Sequence, residues 1–256
     1  MQLVVLGSGT SVPHPQRASA AFWLEADSGS MLLDCSSDAT HRMAEEDLDW
    51  ANLDAIWISH LHLDHCGGLA SLLFAMKHSP QTQARSQPLK IFSCAGIKQL
   101  LRAIDESNDY GLCRPPFPVE MREFSGPDGS GFMPFAGACC EMFKTPHTRE
   151  SLAIRLTTAD HKTVVYSADT GYSEELAAFA RGADLFILEC SFHRAKPVET
   201  HLILAEAMRI AQLAEPRKLL LTHLYPEWDE VDLEAEAREL WSGESIAARD
   251  GLRIEI

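Results

Sequence analysis

Short apolar runs, many of them rich in β-branched residues, recur along the whole chain and are separated by turns and polar stretches. They occupy residues 3–6, 20–26, 30–34, 55–59, 90–94 and 119–124, then 140–145, 152–157, 163–167, 185–189, 218–222 and 252–256. Each has the length of a strand and falls short of a buried helix, so the pattern predicts about a dozen strands. Between them, 67–77, 97–105, 174–181 and 201–214 carry helical periodicity, and in the last of these Leu204, Ala207, Met208 and Ala211 share one face. Strands with helices interspersed predict an α/β chain in which mixed sheets are covered by helices. The stretch 108–137 is rich in proline and glycine, and only 119–124 within it reads as a strand. It is expected to form a loop, with Tyr110, Phe117, Phe132 and Phe135 either closing over a site or packing as a surface excursion. With no internal repeat and no low-complexity linker, one domain over 1–256 is expected.

Composition narrows the setting. The 256 residues are 46% hydrophobic, enough for a substantial core. No window approaches the roughly 18 consecutive apolar residues of a membrane-spanning helix. The start, Met1-Gln2-Leu3-Val4-Val5, lacks a basic region ahead of a cleavable apolar stretch, so a cytoplasmic protein without a membrane partner is expected. Seven cysteines without a CxxC pair do not form a disulfide framework, and adjacent Cys139 and Cys140 would bridge only with strain; reduced thiols are expected. Thirty-seven acidic residues against twenty-two basic ones give a formal charge of −15, which repels the phosphate backbone of a long nucleic acid. Bound divalent cations would reverse that field locally.

The chemistry concentrates in one run. The apolar segment Ile56-Trp57-Ile58-Ser59 delivers His60-Leu61-His62-Leu63-Asp64-His65 just before Gly67-Gly68, placing three imidazoles and a carboxylate within six residues. Imidazole nitrogens and carboxylate oxygens suit divalent zinc, manganese or iron, and a loop leaving a strand can converge several of them on one point. Three further residues occupy equivalent places just beyond apolar strands: His147, Asp169 ahead of Thr170-Gly171, and His223 after Leu219-Leu220-Leu221-Thr222. Strand ends are where α/β folds build their sites.

On these residues the chain resembles the metallo-β-lactamase fold superfamily over nearly its whole length. Leu6-Gly7-Ser8-Gly9-Thr10, Ser167-Ala168-Asp169-Thr170-Gly171 and Leu221-Thr222-His223 resemble the ribonuclease Z branch. The resemblance implies a four-layer αββα sandwich of two mixed β-sheets flanked by helices, with the site at one edge. It implies two divalent metal ions, zinc in the first instance with manganese or iron as alternatives. His60, His62 and His147 would hold the first, Asp64, His65 and His223 the second, and Asp169 would bridge them. Two ions about 3.5–4 Å apart can hold a shared hydroxide and clamp a phosphoryl oxygen, and Asp64 would orient that hydroxide and take up its proton. By the same resemblance His201 would protonate the leaving group or hold the phosphate, with Thr200 read as the cap of the helix it starts.

Weaker signals surround this set. Gly7-Ser8-Gly9-Thr10 does not continue as GxGxxG, so a turn near the metals is expected rather than a nucleotide loop. His14, His41, His78, His161 and His193 read as structural or exposed, with His14, between two prolines, the nearest to substrate. Glu189-Cys190-Ser191 ends a strand and is a candidate to orient a metal-bound histidine.

The chain departs from the tRNA-processing members of the branch in one respect. Only 21 residues separate His147 from Asp169, and they read as two strands joined at Ala159-Asp160-His161. The extended basic arm that those members carry has no room here. The expected activity is therefore a metal-dependent phosphodiesterase acting on a small or cyclic phosphodiester or nucleotide. Hydrolysis of a carboxylic ester, lactone, thioester or sulfate ester on the same metals is the alternative; a ribonuclease Z-type endoribonuclease or a scaffold without catalysis ranks below both. A homodimer stays open.

Overall fold

The computed structural model describes residues 1–127, 129 and 131–256; Asp128 and Ser130, inside the stretch 108–137, lie outside the described residues. Its first sheet has seven strands in the order β13-β1-β2-β3-β4-β5-β6. These are β1 (Gln2–Gly7), β2 (Ala21–Ala26), β3 (Gly29–Leu33), β4 (Ala55–Ile58), β5 (Leu89–Cys94), β6 (Val119–Phe124) and β13 (Arg253–Glu255). The second has six, β12-β11-β10-β9-β8-β7: β7 (Ala138–Lys144), β8 (Leu152–Thr158), β9 (Thr163–Tyr166), β10 (Leu185–Glu189), β11 (Lys218–Thr222) and β12 (Glu244–Ala247). Both sheets are mixed, antiparallel where hairpins form them and parallel from β3 to β6 and from β9 to β12.

The central strands, such as β4 and β10, read as unbroken apolar runs because both of their faces are buried. In β4, Ala55 and Trp57 enter the core between the sheets, whereas Ile56 and Ile58 meet the helix layer. In β10, Leu185 and Ile187 face between the sheets and Phe186 and Leu188 face outward under helices. The outer layer of the first sheet includes α1 (Ala39–Glu45), α3 (Leu69–His78) and α4 (Ile97–Asn108); that of the second, α5 (Glu174–Phe179), α6 (Leu204–Ala214) and α7 (Leu233–Leu240). This is the expected αββα sandwich.

Two local expectations are corrected. The helix expected over 67–77 begins at Leu69, after a separate turn α2 (Leu63–Cys66). A Cβ on Gly68 would lie 1.9 Å from the Ser36 carbonyl oxygen, so glycine is required where the two segments touch. The helix expected from His201 begins at Leu204, and Thr200 is not its cap. Its approach runs extended because the Leu202 carbonyl accepts from the Phe192 amide at 3.0 Å and Ile203 pairs with Phe192. Of the two readings of the aromatic residues in 108–137, packing rather than closure describes Phe117, Phe132 and Phe135: they are buried, and Phe132 stacks on Phe92 and Trp57 at 4.1 and 5.6 Å between centroids. Finally, α1, α7 and the half-exposed edge strand β12 had no clear apolar signal because each buries only a narrow face.

Candidate metal centre

Strands of both sheets end at one rim, and the sequence-derived candidates meet there. His60 follows β4, His147 follows β7, Asp169 follows β9 and His223 follows β11. His62 precedes the turn α2, which contains Asp64 and His65. Three overlapping sets of side chains result, each with ligand atoms within 4.8 Å of one another: His60, His62, His147 and Asp169; Asp64, His65 and His223; and Asp169, His201 and His223. Asp169 reaches all three. Its Oδ2 is 3.6 Å from His60 Nε2 and 3.5 Å from His147 Nε2, while Oδ1 is 3.2 Å from His65 Nε2 and 3.4 Å from His223 Nε2.

Hydrogen bonds fix which nitrogen each ring presents. Asp34 is fully buried, and its carboxylate accepts from His65 Nδ1, the Tyr166 hydroxyl, and the Ser59 amide and hydroxyl, each at 2.7 Å. Because the Ser59 hydroxyl donates to Asp34, it accepts from His60 Nδ1 at 3.0 Å. His223 Nδ1 donates to Ser191 Oγ at 2.9 Å, and Ser191 in turn donates to Glu189 Oε2 at 2.6 Å. His147 Nδ1 donates to the Thr200 carbonyl at 3.0 Å. Four imidazoles thus turn unprotonated Nε2 atoms inward, the arrangement that orients metal-bound histidines. His62 instead directs Nδ1 at His147 Nε2, 3.2 Å away.

The donor set fits divalent metal ions on its own chemistry. His60 Nε2, His65 Nε2, His223 Nε2 and Asp169 Oδ1 are buried and have no hydrogen-bond partner. Buried polar atoms are seldom left so, and four that belong to adjoining ligand sets call for bound cations. The local electrostatics are strained to match. Burial would raise the Asp169 carboxyl, yet His223 and His65 hold it well below the usual carboxylate range. Burial and the neighbouring His65 push His60 well down. Asp34, Ala168 and His223 have φ of 57°, 52° and 58°, left-handed conformations that non-glycine residues adopt only where the surroundings enforce them.

His201 stands beside the centre, 4.8 Å from the His147 ring and stacked at 5.2 Å on His223. Its Nδ1 meets Glu189 Oε1 at 2.9 Å, and Glu189 also accepts from the Thr170 and Leu202 amides. Burial lowers its pKa, but the Glu189 carboxylate outweighs this and brings it to about 8. Asp64, His201, His223 and Tyr225 line a cleft of about 420 Å³ at this rim. His14 is not among its walls; it pairs with Asp229 at 2.9 Å. Ser8, in the glycine turn, accepts from the Leu224 amide beside His223. Asp34 and Tyr166 escaped the sequence reading as site residues. The signal for Asp34 was present, a carboxylate just after the apolar strand β3, whereas nothing local marks Tyr166.

Comparison with known proteins agrees with this fold. A family model described as Anti-Pycsar protein Apyc1 matches residues 1–243. The chain belongs to that family. It is 29% identical over 254 residues to the probable metallo-hydrolase YhfI of Bacillus subtilis, covering 98% of both chains. It is 23% identical over 304 residues to the ribonuclease Z of Ignicoccus hospitalis, covering 100% of this chain and 98% of that one. Among solved structures, the metallo-β-lactamase fold protein YhfI superimposes with a TM-score of 0.82 at 28% identity, covering 100% of this chain and 98% of that one. Human tRNase Z, short form, gives 0.81 at 20% identity, covering 100% and 99%, a likeness of fold. The family member described here is a metal-dependent hydrolase of the metallo-β-lactamase fold, related to ribonuclease Z and YhfI. Among the described residues, no helix is long and apolar enough to cross a membrane.

Proposed function

We propose that this chain is a dinuclear phosphodiesterase that hydrolyses a small or cyclic phosphodiester or a nucleotide. The observation that carries the reading is Asp169, whose two carboxylate oxygens each face a separate group of imidazoles, with the Nε2 atoms of His60, His65 and His223 unpartnered. His60, His62 and His147 would hold one ion and Asp64, His65 and His223 the other, with Asp169 between them. Imidazole-rich ligation favours zinc, and the carboxylates also accept manganese or iron. When bound, two such ions supply Lewis-acid polarisation of phosphoryl oxygens and a nucleophile drawn from water at neutral pH.

The protein's own groups would move the protons. Asp64, beside His223 at 3.5 Å, orients the attacking water and accepts its proton on a carboxylate oxygen. His201 has Nδ1 tied to Glu189, which leaves the Nε2 proton for the departing alkoxide oxygen as the P–O bond breaks. The products are a phosphomonoester and an alcohol, both on one molecule when the substrate is cyclic. A small substrate is supported by the cleft of about 420 Å³ and by the segment between His147 and Asp169, where β8 and β9 form a plain hairpin and no arm.

The test is turnover of bis-p-nitrophenyl phosphate and nucleoside cyclic phosphates by metal-loaded protein, beside carboxylic ester, thioester and aryl sulfate panels. Rapid turnover of the phosphodiesters is expected. Their inertness, with rapid cleavage of another ester class, would refute the reading.

A further inference from the structure

Among the residues lining the cleft, Leu63 and Tyr225 are the two without a carboxylate, imidazole or aliphatic hydroxyl. Leu63 is 71% exposed, inside a run otherwise devoted to ligands. Tyr225 is half-buried, with its ring 6.1 Å from His223 and 6.5 Å from His201.

Tyr225 is held more firmly than packing alone requires. Pro226 follows it and confines it to extended backbone, observed at ψ 161°. Its carbonyl accepts from the Trp228 amide at 3.1 Å and from Arg17 at 3.5 Å. Buried Phe192 stacks on the ring at 4.6 Å and 29°, backing one face. Trp228 Nε1 donates to the Cys190 carbonyl at 2.9 Å, tying the loop to the end of β10. Arg17 and His14 grip Asp229 on the same loop.

An aromatic ring fixed in advance, with one face backed and the residue lining a cleft rich in imidazoles and carboxylates, is suited to stacking a planar group at little entropic cost. We propose that Tyr225 is the specificity-determining contact for the planar organic group, nucleobase or aryl, of the phosphodiester substrate. The proposal rests on the phosphodiesterase reading above. Tyr225 makes no covalent step; it selects which ester occupies the metals.

The experiment compares bis-p-nitrophenyl phosphate with methyl p-nitrophenyl phosphate on metal-loaded full-length protein. Both release p-nitrophenolate and differ only in the group that stays on phosphorus. Tyr225→Ala and Tyr225→Leu are expected to reduce the aryl-over-methyl ratio of kcat/KM by about 5- to 150-fold, chiefly through KM, whereas Tyr225→Phe keeps the preference. Calorimetric binding gives a second readout without turnover. Wild type should bind a nucleoside 5′-monophosphate more tightly than ribose 5-phosphate, and the two alternatives lacking the ring should lose that gap. An unchanged ratio in both Tyr225→Ala and Tyr225→Leu overturns the assignment while leaving the phosphodiesterase reading in place. Loss of the preference in Tyr225→Phe also overturns it, since the hydroxyl and not the ring would then be the contact. Wild-type protein that cleaves neither diester sinks the phosphodiesterase reading and this inference with it.

Discussion

Replacing Asp34 with asparagine changes the hydrogen-bonding capacity of a fully buried carboxylate while preserving its shape. Asparagine also tolerates the left-handed backbone at φ 57°, which alanine would strain. Oδ2 accepts from the Ser59 hydroxyl, His65 Nδ1 and the Tyr166 hydroxyl, and Oδ1 from the Ser59 amide. Asparagine has one acceptor oxygen for these two positions. If its NH2 faces the Ser59 amide, a buried backbone donor loses its partner. If it faces the other side, the hydroxyls can rotate but His65 cannot: Nδ1 must become an acceptor, which moves the ring proton to Nε2, the atom aimed at Asp169. One buried donor left unsatisfied costs about 1–3 kcal/mol. For a chain of this size that corresponds to a fall in Tm of roughly 2–12 °C, at about 2–4 °C per kcal/mol. Disturbing the support of a metal-bound histidine costs about 10- to 100-fold in metal affinity. Metal content is to be measured by mass spectrometry after equilibration with a competing chelator, and Tm by calorimetry on the same samples. Asp34→Asn protein with the metal affinity and Tm of wild type would refute the claim that Asp34 sets the His65 tautomer.

His201→Ala should retain both metal ions and lose about 10²- to 10⁴-fold in turnover, the usual contribution of a positioned proton donor; unchanged turnover removes His201 from the mechanism. Glu189→Gln tests what holds that proton. The acid form of His201 is populated below its pKa, so turnover should fall as pH rises through about 8. Removing the Glu189 charge lowers that pKa, and the alkaline limb of the pH–kcat profile should move to lower pH; an unmoved limb would mean that another group donates the proton. Chelating the metals should lower Tm, because ions bound only by the folded chain contribute about 2.7 kcal/mol at a hundredfold excess over Kd. A melt indifferent to chelator and to added zinc would count against a metal centre.

The alternation of apolar runs and helical segments was enough to foresee twelve of the strands and the layered α/β architecture, because strands buried on both faces carry their signal in every residue. The ligand residues were legible for a related reason. Each candidate stands at the end of such a strand or in the loop that follows, so locating the strand locates the ligand. Local pattern could not say how those ends converge. Asp34 and Tyr166 lie 132 positions apart and meet only because the two sheets pack face to face. The start of α6 was misplaced because the Leu202 carbonyl, which a helix starting at His201 would have offered to the Glu206 amide, accepts instead from the distant Phe192 amide. Whether Phe132 and Phe135 close over a site or pack stayed open in the sequence because proline and glycine around them suppress periodicity; the space between the sheets draws them inward. Sequence determined which side chains were available to bind metal; the tertiary fold decided which nitrogen each histidine presents, since a ring's tautomer depends on the acceptor opposite it, and here those acceptors come from distant segments.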